Sequence, residues 1–222
     1  MDYWVPIVIS IIAFIPALVL HEMGHAFAAF KLGDPTAQRQ GRLSFNPLKH
    51  IDPFGTVLLP LMLGFMGMPV FGYAKPVPYN PQYFEDPRKG DLIVGLAGPA
   101  ANLVQALVGT LLAWLLYTFL PAEAFKSVFV YYVFFFFVYY VRVNLFLMFF
   151  NLIPIPPLDG SSIFAFFMPV KYLPQYYRIQ QYAFPVFMLV VIALPQISGF
   201  DPFSWYLSIT AGNVFNLLFS FM

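Results

Sequence analysis

Apolar runs about 20 residues long recur along this chain, and at 1.5 Å per helical residue each matches the roughly 30 Å hydrocarbon thickness of a bilayer. In lipid no water is available to backbone N–H and C=O groups, so each run must satisfy them within itself. A bundle of membrane helices is therefore the expected architecture.

Composition agrees. Of 222 residues, 60% are hydrophobic and 9% are charged, whereas an ordinary soluble domain carries roughly a quarter charged residues. No stretch is polar enough for a separate water-soluble domain, so residues 1–222 are expected to form one membrane-embedded domain. A formal net charge of +1 offers no basic face for nucleic acid. The expected partners are the lipid bilayer and other membrane proteins. There is no cysteine, which excludes disulfides and thiolate ligands and leaves histidines and carboxylates to hold any metal. The first apolar run lacks a basic leader and carries His-Glu-Met-Gly-His near its end, so it is expected to stay as a helix rather than be cleaved as a signal.

Trp4 to Phe30 reads as the first span, ended by Lys31, Gly33, Asp34 and Pro35. A polar loop leads to Pro53. The apolar stretch 54–73 holds Gly55, Pro60, Gly64, Gly67, Pro69 and Gly72, too many breakers for a straight helix. Ala74 to Pro81 reads as extended chain because its prolines are closely spaced. Further spans are expected at Leu92–Leu120, Val128–Phe150, Ala183–Leu194 and Phe203–Met222. The fold class is thus all-α and polytopic, with about five transmembrane helices plus a re-entrant or broken segment at 54–73.

His21 and His25 lie four residues apart on the first helix, so both rings fall on one face. That spacing suits two ligands of one tetrahedral Zn²⁺, and Glu22 between them is placed to take a proton from a metal-bound water. A chance match costs nothing in a soluble helix. In a membrane a carboxylate costs on the order of 3 kcal/mol, so it is retained mainly for a partner or a function. A catalytic zinc needs a third protein ligand. Asp159 follows the proline-broken run Ile153-Pro154-Ile155-Pro156-Pro157-Leu158 and precedes Gly160. Irregular backbone in apolar surroundings is tolerated where it lines a cavity, which makes Asp159 the leading third ligand. Two alternatives stand beside this. Asp159 can serve as an N-cap of the segment from Ser161, and His50 is a rival ligand, although its polar loop suggests a solvated side chain.

The motifs HEMGH at 21–25, Gly98-Pro99-Ala100-Ala101-Asn102 and NLIPIPPLDG at 151–160 together resemble the site-2 protease family, the M50-type intramembrane zinc metalloproteases. FNPLKHIDPFGT at 45–56 and AKPVPYNP at 74–81 resemble its small branch, without PDZ or CBS domains. The resemblance implies that His21, His25 and Asp159 hold one Zn²⁺ per chain and that Glu22 is the catalytic base. It implies further that Asn151 lies near the metal, steadying an oxyanion or the substrate backbone, and that Asn102 lines the site. Arg142, within the fourth apolar segment, is left without a role, and Asn144, Asn213 and Asn216 are read as interhelical hydrogen-bonding groups.

If one metal is shared, the end of the first span and the segment after Phe150 open on the same membrane face. The spans at 92–120 and 128–150 make one return trip, so Asp91 lies on that face as well. The segment 54–73 then cannot cross once. Lys31, Arg39, Arg42, Lys49, Lys75, Arg88, Lys89, Lys171 and Arg178 share this side and Lys126 lies opposite, which marks the shared side as cytoplasmic in the cell membrane. His21 and His25 then sit about 15 and about 9 Å inside. The expected activity is hydrolysis of a transmembrane or membrane-associated protein segment, unwound locally or added as a strand near Ala74–Pro81. The alternative is a non-catalytic membrane protein that binds or transports metal. Glu22 separates the two, because a carrier needs exchangeable ligands and a path whereas a protease needs an open coordination position and a base.

Overall fold

A computed structural model describes residues 4–58, 62 and 75–222. The described residues are helical throughout their ordered elements, with no strand among them. Among the described residues three helices are long and apolar enough to cross a membrane. They are α1 (Trp4–Lys31), α3 (Pro87–Phe119) and α4 (Val128–Asn151). A short helix α2 (Thr36–Arg39) lies between the first two.

Local chemistry sets the boundaries. α1 ends where Gly33 takes a left-handed φ of 98°, a conformation open to glycine and costly for a residue with a Cβ. α3 begins at Asp86, whose carboxylate accepts the N–H groups of Arg88 and Lys89 at 3.0 and 3.1 Å, with Pro87 at the first helical position.

The three long helices pack antiparallel in sequence order. Ala17 lies beside Asn102 and Gln105, while Ala29 packs with Val94. Asn102 meets Asn144, and Gly109 faces Val141. Small residues make this approach possible, as lipid-embedded helices require where lipid is as apolar as the partner helix. A Cβ on Gly24 would fall 2.6 Å from the Ala97 carbonyl oxygen. Large apolar residues such as Ile11, Leu107 and Leu111 point outward, where hydrocarbon is their natural solvent.

The antiparallel order puts the C-terminus of α1, the N-terminus of α3 and the C-terminus of α4 at one end of the bundle. The chain that leaves through His50 is back beside it at Lys75, whose N–H donates to the His50 carbonyl at 2.9 Å. His50 and Lys75 therefore lie together at this end of the bundle. Of the 54–73 segment, Pro53–Leu58 forms a π-helical turn, while 59–61 and 63–74, where the re-entrant expectation falls, lie outside the described residues.

After α4 the chain turns through Leu152–Leu158 into α5 (Gly160–Phe167), then α6 (Leu173–Ser198). Val170–Gln180 and Pro185–Ser198 meet at a 64° bend, and the pair counts as a fourth crossing if taken as one span. The last expected span is helical in three consecutive pieces, α7 (Pro202–Leu207), a π turn at Ser208–Gly212 and α8 (Asn213–Leu218).

Candidate metal centre

His21 and His25 project from one face of α1 toward α3 and are both buried. Each ring is held through Nδ1. The Nδ1–H of His25 donates to the Val94 carbonyl at 2.7 Å, and that of His21 donates to Asn102 Oδ1 at 2.5 Å. Asn102 presents its oxygen because its amide nitrogen already donates to Asn144 Oδ1 at 2.8 Å and to the Ala17 carbonyl at 3.3 Å. With both Nδ1 atoms protonated, each Nε2 carries a lone pair.

Those lone pairs face each other across 3.1 Å. Asp159 Oδ2 completes the group at 3.2 Å from His21 Nε2 and 3.3 Å from His25 Nε2. This buried oxygen accepts no hydrogen bond. Three converging acceptors without a proton to share repel one another unless a cation lies between them. Ligand atoms bound tetrahedrally at about 2.0–2.2 Å stand ~3.3 Å apart, so the observed separations fit a zinc-sized ion. Among the described residues this is the group of histidine and carboxylate side chains able to hold a metal.

Asp159 reaches the rings because the proline-broken turn folds back on itself. Ile155 N–H donates to the Ile153 carbonyl and Leu158 N–H to the Ile155 carbonyl, at 2.8 and 2.9 Å, while Leu158 packs with Phe150 and Phe187. The side chain of Asp159 does not cap α5, so the capping alternative is removed. Gly98 leaves the room that the rings occupy, since a Cβ there would lie 2.3 Å from His25 Nε2.

Glu22 is buried on the same helix, and its Oε2 accepts the Val77 N–H at 3.2 Å. Glu22, the three acceptors and Asn151 line one cavity of about 920 Å³. Its inner wall is apolar, with Phe14, Leu18 and Leu147, and its other end carries Arg88, Asp91 and Tyr79. Tyr79 donates its hydroxyl to Asp91 at 2.5 Å, and burial together with that carboxylate pushes the phenol far above its usual range. Arg88 donates to the carbonyls of Ala165, Phe166 and Met168, capping the end of α5.

Asn151 donates its amide back to the Leu147 carbonyl at 3.0 Å, which ties the side chain to α4 at the cavity wall. His50 is not near the metal group. It is fully buried, not solvated as its polar loop suggested, with Nε2 at 2.7 Å from the Ser44 carbonyl. Arg142 faces outward from α4. Sequence reasoning missed the Val77 N–H, although Pro76 and Pro78 leave it as the one backbone donor between Lys75 and Tyr79.

Paired imidazoles and a carboxylate within a membrane-length helical bundle, with a second carboxylate on the same cavity, are the side chains that a membrane metallopeptidase requires. Residues 122–194 match the model of Peptidase family M50. Over 182 residues the chain is 37% identical to "Putative zinc metalloprotease YwhC" of Bacillus subtilis, covering 82% of this chain and 79% of that protein. It is 36% identical over 154 residues to the Rip2 protein of Mycolicibacterium smegmatis, covering 69% of this chain and 54% of that protein. To Rip2 of Mycobacterium tuberculosis strain H37Rv it is 30% identical over 195 residues, 86% of this chain and 69% of the relative. No solved structure matches. The chain belongs to peptidase family M50.

Proposed function

We propose that this chain is an intramembrane zinc-dependent endopeptidase that cleaves transmembrane or membrane-associated protein segments, with one Zn²⁺ held by His21, His25 and Asp159. The observation that carries the reading is the set of three converging acceptors, at 3.1 to 3.3 Å from one another, on the same cavity as Glu22. When bound, the metal supplies a Lewis acid and an acidified water.

The residues of the chain do the rest. Val94 and Asn102 hold the two rings in the tautomer that presents Nε2. Glu22 takes the proton of the attacking water and returns it to the leaving amine, while Val77 keeps one carboxylate oxygen in register. The apolar wall of Phe14, Leu18 and Leu147 accepts hydrophobic substrate side chains, and the polar end accommodates the part of the substrate that emerges into water. Asn151 stands at the wall where it can steady the substrate backbone. The whole chain forms one domain of about five spans in the cell membrane, with the site near the cytoplasmic face, as the loop cations favour.

The test is a proteomic comparison of membrane-protein fragments in cells carrying wild type or Glu22→Gln. Fragments that vanish with the variant, cut within or beside apolar spans, support the proposal. Identical fragment sets from a zinc-loaded variant refute it.

A further inference from the structure

Of the motifs at 45–56 and 74–81 the mechanism above uses the Val77 N–H alone, yet Arg42 ties the two together through the carbonyls of Lys49, Lys75 and Pro76. The extended segment Lys75–Asn80 is a strap held at both ends and in the middle. At its start the buried Arg42 donates from Nη1 to the Lys49 carbonyl and from Nη2 to the carbonyls of Lys75 and Pro76, the last at 3.1 Å. The loop that Arg42 clamps is itself rigid. Asn46 caps the turn Pro47–Lys49 through the Leu48 N–H at 3.0 Å, and the His50 ring is seated on the Ser44 carbonyl. At the far end buried Asp34 accepts the Asn80 N–H at 2.7 Å, and in between Tyr79 is anchored on Asp91.

The strap is flanked by prolines at 76 and 78, so the single N–H it has to offer there belongs to Val77, and that N–H goes to Glu22 Oε2. A buried guanidinium is costly to desolvate and is retained where its planar fork binds several acceptors at fixed angles. Here the acceptors are consecutive strap carbonyls, immediately before the residue that holds Glu22.

We propose that Arg42 is a positioning residue for Glu22, seating the Lys75–Pro76 backbone so that the Val77 N–H fixes the orientation of the Glu22 carboxylate. The proposal rests on the reading of Glu22 as the base. Loss of this orientation slows the chemical step by about 10- to 100-fold, the scale of a misplacement near 1 Å, without touching the three metal ligands.

The test uses the full chain in liposomes and the variants Arg42→Lys, Val77→Pro, their double and Glu22→Gln. Lysine keeps the charge but loses the fork, and proline at 77 removes the one N–H. The activity probe is a tagged single-span reporter with a proline-broken apolar span, chosen as one that wild type cleaves. A second readout needs no substrate. The chain has three glutamates, Glu22, Glu85 and Glu123, so in protein labelled with ¹³C-glutamate the difference infrared spectrum against Glu22→Gln isolates the Glu22 carboxylate band.

The expected result has each single variant keeping full zinc content and losing about 10- to 100-fold in kcat with KM little changed. The double is no worse than Val77→Pro alone, and both singles move the Glu22 band to the same new frequency. Multiplicative losses in the double, or an unmoved band in Arg42→Lys beside a shifted one in Val77→Pro, overturn the proposal. Arg42→Gln, which removes both the fork and the charge that acts on Glu22, replaces lysine for the zinc and kcat readouts if that variant does not accumulate. Loss of zinc in both makes Arg42 a folding residue and overturns it likewise. A reporter cut equally by wild type and Glu22→Gln overturns the assigned base instead, an outcome distinct from the others.

Discussion

His21 Nδ1 lies 2.5 Å from Asn102 Oδ1, and Asn102 is fully buried. This contact crosses from α1 to α3 and fixes which nitrogen of His21 is free for a metal. Outer partners of this kind typically contribute 10- to 100-fold in metal affinity. Asn102→Leu is therefore expected to weaken zinc binding by about that factor, measured by competition with a chromogenic chelator. Asn102→Asp keeps the acceptor and is expected to lose less. Equal affinity in Asn102→Leu and wild type would show that the contact does not act on the metal.

The ligand set predicts about one zinc per chain in purified protein, with three protein ligands and one open position. The His21→Ala, Asp159→Ala double variant is expected to retain none, by metal analysis on monodisperse protein. Asp159→Asn is expected to weaken the site, since a neutral amide is a poorer ligand for a dication.

Glu22→Gln keeps size and can still accept the Val77 N–H, but it cannot act as a base. Zinc content should stay near wild type while turnover falls by the roughly 10²- to 10⁴-fold typical of lost acid–base catalysis. The two quantities are to be read on the same sample, and wild-type cleavage by the zinc-loaded variant would falsify the mechanism.

Gly98 lies under both imidazoles, where a Cβ would sit 2.3 Å from His25 Nε2 and 2.6 Å from His21 Cε1. Gly98→Ala is expected to push the rings apart and cost zinc. Gly199→Ala, where added atoms meet nothing within 4 Å, serves as a control and is expected to keep it. Its left-handed φ of 70° confines that cost to local backbone strain.

Because the chain has no cysteine, single cysteines introduced at 40, 85 and 175 report sidedness directly. All three are expected to react with an impermeant thiol reagent from the cytoplasmic face alone. Reaction of position 85 from the opposite face would sink the assigned topology.

The cluster of His21, His25 and Asp159 was legible in the sequence for definite reasons. The four-residue spacing of His21 and His25 puts two rings on one face of any α-helix, whatever surrounds it. Asp159 stood out because a carboxylate in a proline-broken apolar stretch needs a reason to be there. His50 was misjudged, since a polar neighbourhood in sequence says little about burial once a loop folds over itself. Asn144 was correctly read as an interhelical group, but its partner, Asn102, was not predictable from it.

The sequence by itself determined the solvent of the fold, the helical registers and the identity of the acceptor atoms, because these depend on side-chain chemistry and on spacing within one segment. The tertiary structure decided which groups hold them. Val94 and Val77 act through a backbone carbonyl and a backbone N–H, groups that nearly every residue possesses, so no letter in the sequence marks them. Their selection depends on the register between α1 and α3 and on where the strap is clamped. That register is the sum of many small-residue contacts such as Gly24 on Ala97 and Gly98 beneath the imidazoles, a property of the assembled bundle and of no single segment.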